Sequence, residues 1–142
     1  MAYFKLQLNN SRHLIRTKYL EQWNEAGIDA ILCPVSASVA SVHGETTYWG
    51  YTSVFNLLDL TAVVFPVGRV EQSDTWGNFH PQFGGFLSPE DKVYRTRYNN
   101  EGPVRYRDAP ISLQLVTRRF HEEEALLIAE QILTALKQSE GH

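Results

Sequence analysis

Three short apolar segments, each beside a proline, constrain this chain more than anything else in it. Ile28 to Cys33 is ended by Pro34, Ala62 to Phe65 by Pro66, and Ile111, Leu113 and Leu115 follow Pro110. Runs of this length and composition read as strands, and the first two, largely apolar throughout, as buried strands of the kind found in parallel sheets. The third alternates with Ser112 and Gln114, which gives it two unlike faces. Helical segments lie between and around them, so the order is helix, strand, helix, strand, long excursion, strand, helix. That alternation points to the α/β class, with a mixed or parallel sheet of about three strands flanked by helices. Such strands need cover on both faces, and three of them make a thin sheet. The 142 residues, 43% hydrophobic, suit one globular domain by size. The strands instead lead us to expect part of a larger fold.

The helices are read from spacing. Leu14, Ile15, Tyr19 and Trp23 form a stripe over residues 11 to 26, with Asn10 or Ser11 as cap and Gly27 as a left-handed stop. Thr52 to Leu60 predicts a short helix opened by Thr52 or Ser53. Residues 120 to 138 predict a longer one, its apolar face made of Leu126, Ile128, Ala129, Ile132, Leu133 and Leu136. Glu122, Glu123 and Glu124 stand at its start, where the helix dipole favours anions. Residues 69 to 108 break the rhythm. About forty residues is long for a connection inside a compact domain. Within this irregular excursion, Ser88 as cap and Pro89 behind it predict a short helix through Tyr94.

Charge and composition narrow the partners. A net charge of −3 gives no broad basic field, so nucleic acid is not expected as a partner. No apolar run reaches the roughly 20 residues that span a bilayer, and Met1 to Lys5 lacks the apolar core of a signal peptide. The single cysteine, Cys33, suits a reducing compartment. A cytoplasmic chain is the expectation.

Few residues carry obvious chemistry. None of the five histidines pairs with another His or with Cys at ligand spacing, so neither a metal nor any other cofactor is expected. Cys33 closes an apolar strand, where a thiol is more often buried and inert than nucleophilic. Gly84-Gly85 lacks the Lys and Ser or Thr of a phosphate cradle. Arg95, Arg97, Arg105 and Arg107 interleave with Tyr94, Tyr98 and Tyr106, but neighbouring acids dilute the patch, which reads as a solvated loop. The densest cluster is Thr47, Tyr48, Trp49, Tyr51 and Thr52. Aromatic rings with a few hydroxyls are what a small-molecule pocket uses, although the same rings could simply hold a loop onto the sheet.

Tyr48-Trp49-Gly50-Tyr51-Thr52-Ser53, Phe55-Asn56-Leu57-Leu58-Asp59 and Val64-Phe65-Pro66-Val67-Gly68 together resemble the C-terminal part of the amidase signature family, in its fungal acetamidase-like branch. Ile28 to Pro34 resembles the strand before those blocks, and Asp108 to Val116 the family's last strand, with Arg118-Arg119 after it. The resemblance runs from about residue 10 to 138 and is loosest over 70 to 104.

It implies hydrolysis of a carboxamide to an acid and ammonia or an amine. In that family a lysine acts through a cis-serine on a nucleophilic serine, in the N-terminal half. Here no glycine is followed by serine, no two serines are adjacent, and Lys5, Lys18, Lys92 and Lys137 match no catalytic position. The resemblance therefore implies no catalytic residue in this chain and no activity on its own. Thr47, Tyr48, Trp49, Tyr51 and Thr52 are the implied substrate-binding residues, with an amide as ligand once a complementing N-terminal half is supplied. The alternative is a non-catalytic α/β binding or interaction module, self-associating as a homo-oligomer.

Overall fold

The computed structural model describes residues 2–74 and 86–140. Helix α1 (Ala2–Ala26) is followed by strand β1 (Ile31–Pro34), helix α2 (Gly50–Leu58), strand β2 (Thr61–Arg69), helix α3 (Pro89–Arg105), strand β3 (Pro110–Thr117) and helix α4 (Glu122–Glu140). The α/β class and the three strands stand as expected. The pairing differs from the parallel one the apolar runs suggested. β3 lies between β1 and β2 and is antiparallel to both, with Leu32 opposite Leu115 on one side and Val63 opposite Leu115 on the other. The unit β1-α2-β2 does bring its two strands in with the same sense, but the last strand of the chain separates them. A split β-α-β unit hides its sheet order from local sequence, because the inserted strand comes from far along the chain.

One face of this sheet is dry. Phe65, Leu115 and Ala129 form the buried cluster, with Val63, Leu113, Ile128, Ile132 and Leu133 packed against it. Residues directly opposite across an antiparallel pair share a face, so Leu115 and Leu113 align with Val63 and Phe65 under α4. Leu126 and Leu136, expected on that helix's apolar face, are instead exposed. The other face carries Cys33, Val64, Gln114 and Val116. Here Gln114, read from the sequence as part of the strand's second, unlike face, is buried, and its amide donates to the carbonyls of Pro34 (2.8 Å) and Tyr51 (2.7 Å). A buried amide keeps its place only when such bonds replace water.

Several boundaries move, each for a local reason. α1 starts well before Asn10 and Ser11, which lie inside it, and Gly27 ends it at φ 63° as expected. Among the described residues, its predicted stripe is buried toward the C-terminal end. Trp23 is buried and donates its indole N–H to the Ile28 carbonyl at 2.6 Å, while Leu14 and Ile15 are exposed. α2 begins at Gly50, before Thr52, and ends at Asp59 in the left-handed conformation. Arg12 and Arg16 of α1 both donate to the Leu57 carbonyl at 3.1 Å, placing cations at the negative end of α2. Asp59 then takes Arg16 at 3.1 Å and Arg119 at 2.9 Å. β2 runs on through Pro66, tolerated on an edge strand where the register shifts between Pro66 and Gly68.

Ser88 caps α3 by accepting from the Asp91 N–H at 3.1 Å, as its sequence pattern indicates. The helix then continues past Tyr94 to Arg105 with a kink at Gly102, just before Pro103. The arginines and tyrosines expected in a solvated loop are thus on a helix, and Tyr106 directly after it is buried. Gly84-Gly85 lies outside the described residues.

Candidate functional site

Between β1 and α2 the chain makes a long irregular passage, residues 35 to 49, that lies over the face of the sheet opposite α4. Two cavities open along it. The smaller, about 390 Å³, is bounded by the sheet through Val64 and Ser112 and by the passage through Ser36, Ser41 and Thr46. The larger, about 790 Å³, lies between the passage and α3, with Tyr94, Arg95, Tyr98 and Tyr106 on the helix side. Ser38, Val39 and Tyr48 line both.

The passage is held in place by ionic and hydrogen bonds more than by apolar packing. The Arg97 guanidinium donates to the Glu45 carbonyl at 2.7 Å, and Arg105 pairs with the Glu45 carboxylate while also meeting Glu101 at 2.6 Å. The Thr47 backbone N–H donates to the Tyr94 phenol oxygen at 3.2 Å. Burial by itself pushes the Tyr94 phenol up. Hydrogen bonds from Thr47 and Tyr48, together with the Arg97 charge, outweigh it and hold the group below the ordinary tyrosine value.

The expected site residues are now placed. Tyr48 and Tyr51 meet edge to face, ring centroids 5.9 Å apart, beside the larger cavity. Tyr48 folds back over Gly50, and a Cβ at Gly50 would fall on the Tyr48 phenol ring. Trp49 and Thr52 line the smaller cavity, Thr52 donating its hydroxyl to the Trp49 carbonyl at 3.3 Å. Trp49 is 61% exposed. Thr47 lines neither cavity and acts through its backbone N–H.

Residues that sequence reasoning passed over complete the larger cavity. Tyr94 and Tyr98 are four apart on α3 and so share a helix face, which was the available signal. Tyr98 stacks on Tyr106, centroids 5.9 Å apart and planes 14° apart, and its hydroxyl donates to the Asp74 carbonyl at 3.0 Å. Arg95 is fixed by Asp91 at 2.8 Å, and that bond, with the Leu87 N–H, lowers the Asp91 carboxyl below its usual range. Burial pushes the Tyr98 and Tyr106 phenols up. Cys33 is half-buried and its thiol is also pushed up by burial, which suits an unreactive group. Among the described residues no three His, Cys, Asp or Glu side chains gather as around a metal ion, and no helix is long and apolar enough to cross a membrane.

Comparisons with known proteins agree with this architecture. The family model described as Amidase matches residues 1–126. The Schizosaccharomyces pombe protein C550.07, named for the same family, is 38% identical over 137 residues, covering 92% of this chain and 23% of its own length. The acetamidase of Emericella nidulans is 36% identical over 123 residues, covering 81% of this chain and 21% of its own. Among solved structures, fatty acid amide hydrolase superposes with a TM-score of 0.76 at 28% identity, over 90% of this chain and 22% of that one. The chain thus spans about a fifth to a quarter of the length of the curated relatives it matches. Its matched part is the C-terminal part. This chain belongs to the amidase family.

Proposed function

We propose that this chain is the C-terminal segment of an amidase-type hydrolase and supplies one wall of its substrate channel. The enzyme splits a carboxamide. A serine oxygen adds to the amide carbon, the C–N bond breaks, nitrogen leaves with a proton as ammonia or an amine, and water releases the acid. In this reading the nucleophilic serine, the cis-serine and the lysine come from a segment that precedes this one, and the chain alone is inactive. Tyr48, Trp49, Tyr51 and Thr52 face the amide or its substituent, while Thr47 fixes the passage through Tyr94. A cytoplasmic setting suits the lone thiol.

The uncovered apolar surface of α1 carries this reading. Tyr3, Phe4, Leu6 and Leu8 are 73%, 64%, 58% and 53% exposed. Apolar side chains left uncovered by the described residues suit a surface that further protein covers. The test is ammonia release from acetamide and from aryl amides. The chain alone should give none, and co-expression with the N-terminal part of a fungal acetamidase should restore it. Turnover by the chain alone, abolished by a serine-directed inhibitor, overturns the proposal.

A second reading, a self-associating interaction module, draws on the same surface. Sedimentation decides between them. A dimer that persists when the acetamidase part is present favours the module, and its replacement by a one-to-one complex favours the hydrolase.

A further inference from the structure

The larger cavity is too big and too aromatic for the simplest amides. Its volume of about 790 Å³ lies well inside the range of sites that enclose drug-sized ligands, and a two-carbon amide would fill little of it. Five tyrosines line it: Tyr48 and Tyr51 from the start of α2 and the residues before it, Tyr94 and Tyr98 from α3, and Tyr106 just beyond. The hydroxyls of Tyr94 and Tyr98 are engaged by the Thr47 N–H and the Asp74 carbonyl. What these two residues offer the cavity is therefore ring rather than a free O–H. Tyr48 meets Tyr51 edge to face, and Tyr98 stacks on Tyr106, so both pairs hold fixed aromatic surfaces. Arg95, the cation of this wall, is tied to Asp91, and Glu90 lines the same cavity, so no positive charge is left over to recruit a carboxylate.

From this geometry we infer that the cavity takes an aryl group, and that the ligand is an aryl or arylalkyl carboxamide rather than acetamide itself. The inference rests on the amide-hydrolase reading for the carboxamide and on the cavity alone for the aryl group. The second cavity gives the amide a place. It is smaller, is lined by the hydroxyl residues Ser36, Ser41, Thr46 and Ser112, and shares Tyr48 with the first. A bipartite ligand would pass Tyr48, its ring among the tyrosines and its polar end among the hydroxyls. The carboxamide can exchange hydrogen bonds with hydroxyls, and the ring can stack or meet edges with phenol rings.

Binding, which needs no turnover, tests this. Titration of the purified chain with 2-phenylacetamide, hexanamide and acetamide, followed by calorimetry, should give a Kd for phenylacetamide at least tenfold below those of the other two. Tyr98→Leu should abolish that preference, while Tyr98→Phe, which keeps the ring, should retain it. Circular dichroism on both variants separates loss of the ring from loss of the fold. Equal affinity for hexanamide and phenylacetamide, no binding of phenylacetamide, or an intact preference in a folded Tyr98→Leu chain would each overturn the inference. The two readings fail separately. Unaided turnover would remove the proposal that the catalytic residues lie outside this chain and leave the aryl preference standing, whereas restored acetamide hydrolysis without aryl binding would do the reverse.

Discussion

The two faces of the sheet are built on opposite principles. Under α4, Phe65, Leu115 and Ala129 exclude water and need no polar partner. Across the sheet, Gln114 is just as buried but holds two carbonyls, and beyond it the passage of residues 35 to 49 is tied by Glu45, Arg97, Arg105 and Tyr94 around open space. Apolar packing fills one face. Directional bonds let the other face stay hollow without losing its shape. Stability and binding are thereby assigned to different sides of the same three strands.

The sharpest way to break that comparison is to cut equally into each face. Leu115→Ala should cost about 2–5 kcal/mol in denaturant unfolding, because it removes a fully enclosed side chain from the dry face. Val64→Ala, on the hollow face and 55% exposed, should change stability by less than about 0.5 kcal/mol. Similar losses at the two positions would mean that the faces are alike. Next in size is Gln114→Leu, expected to cost about 1–3 kcal/mol by stranding the Pro34 and Tyr51 carbonyls. It should also blunt amide binding, since one of those carbonyls belongs to the cavity wall at Tyr51.

Gly50→Ala is aimed at the cavities alone. The new methyl displaces the Tyr48 ring, so ligand binding should weaken several-fold while the unfolding midpoint hardly moves. The smallest effect is electrostatic. Asp59→Asn weakens the links to Arg16 and Arg119, both partly solvated, and should cost no more than about 1 kcal/mol, shrinking further in high salt.

A pH titration sharpens the comparison in another way. Tyr94 is held below the ordinary value of 10.0, so it deprotonates first, and its stabilisation appears as pH rises through that region and is absent when pH falls. Tyr19, Tyr98 and Tyr106 are held above that value, chiefly by burial. Their contribution is present below pH 10 and is lost as pH rises through their folded pKa values. Phenolate absorbance should therefore show an early component that Tyr94→Phe removes and a late one that it leaves.

The sequence made the strands, α2, α4 and the Ser88 cap legible, because each depends on neighbours a few residues away. It concealed what depends on distant chain. The place of β3 between β1 and β2 follows from no local pattern, and the buried state of Gln114 follows only from that place. The apolar face of α1 could be read, but not the fact that Leu14 and Ile15 stay exposed among the described residues. At the site, the rings of Tyr48, Trp49 and Tyr51 stood out because they crowd into four positions. Tyr94 and Tyr98 did not, because Asn, Gly and Pro further along the same segment made it read as a loop.

The central position of β3 also sets the order in which this chain can fold. β1 and β2 each bond to β3 and not to one another, so among the described residues neither is paired until residues 110 to 117 have been made. β1 then closes on β3 through contacts spanning some 80 residues, as between Pro34 and Gln114, while β2 reaches β3 across a shorter loop. Assembly led by so distant a contact is slow, because the loop entropy is lost before the sheet gives anything back. A chain stopped before Pro110 would therefore hold β1 and β2 without the strand that joins them.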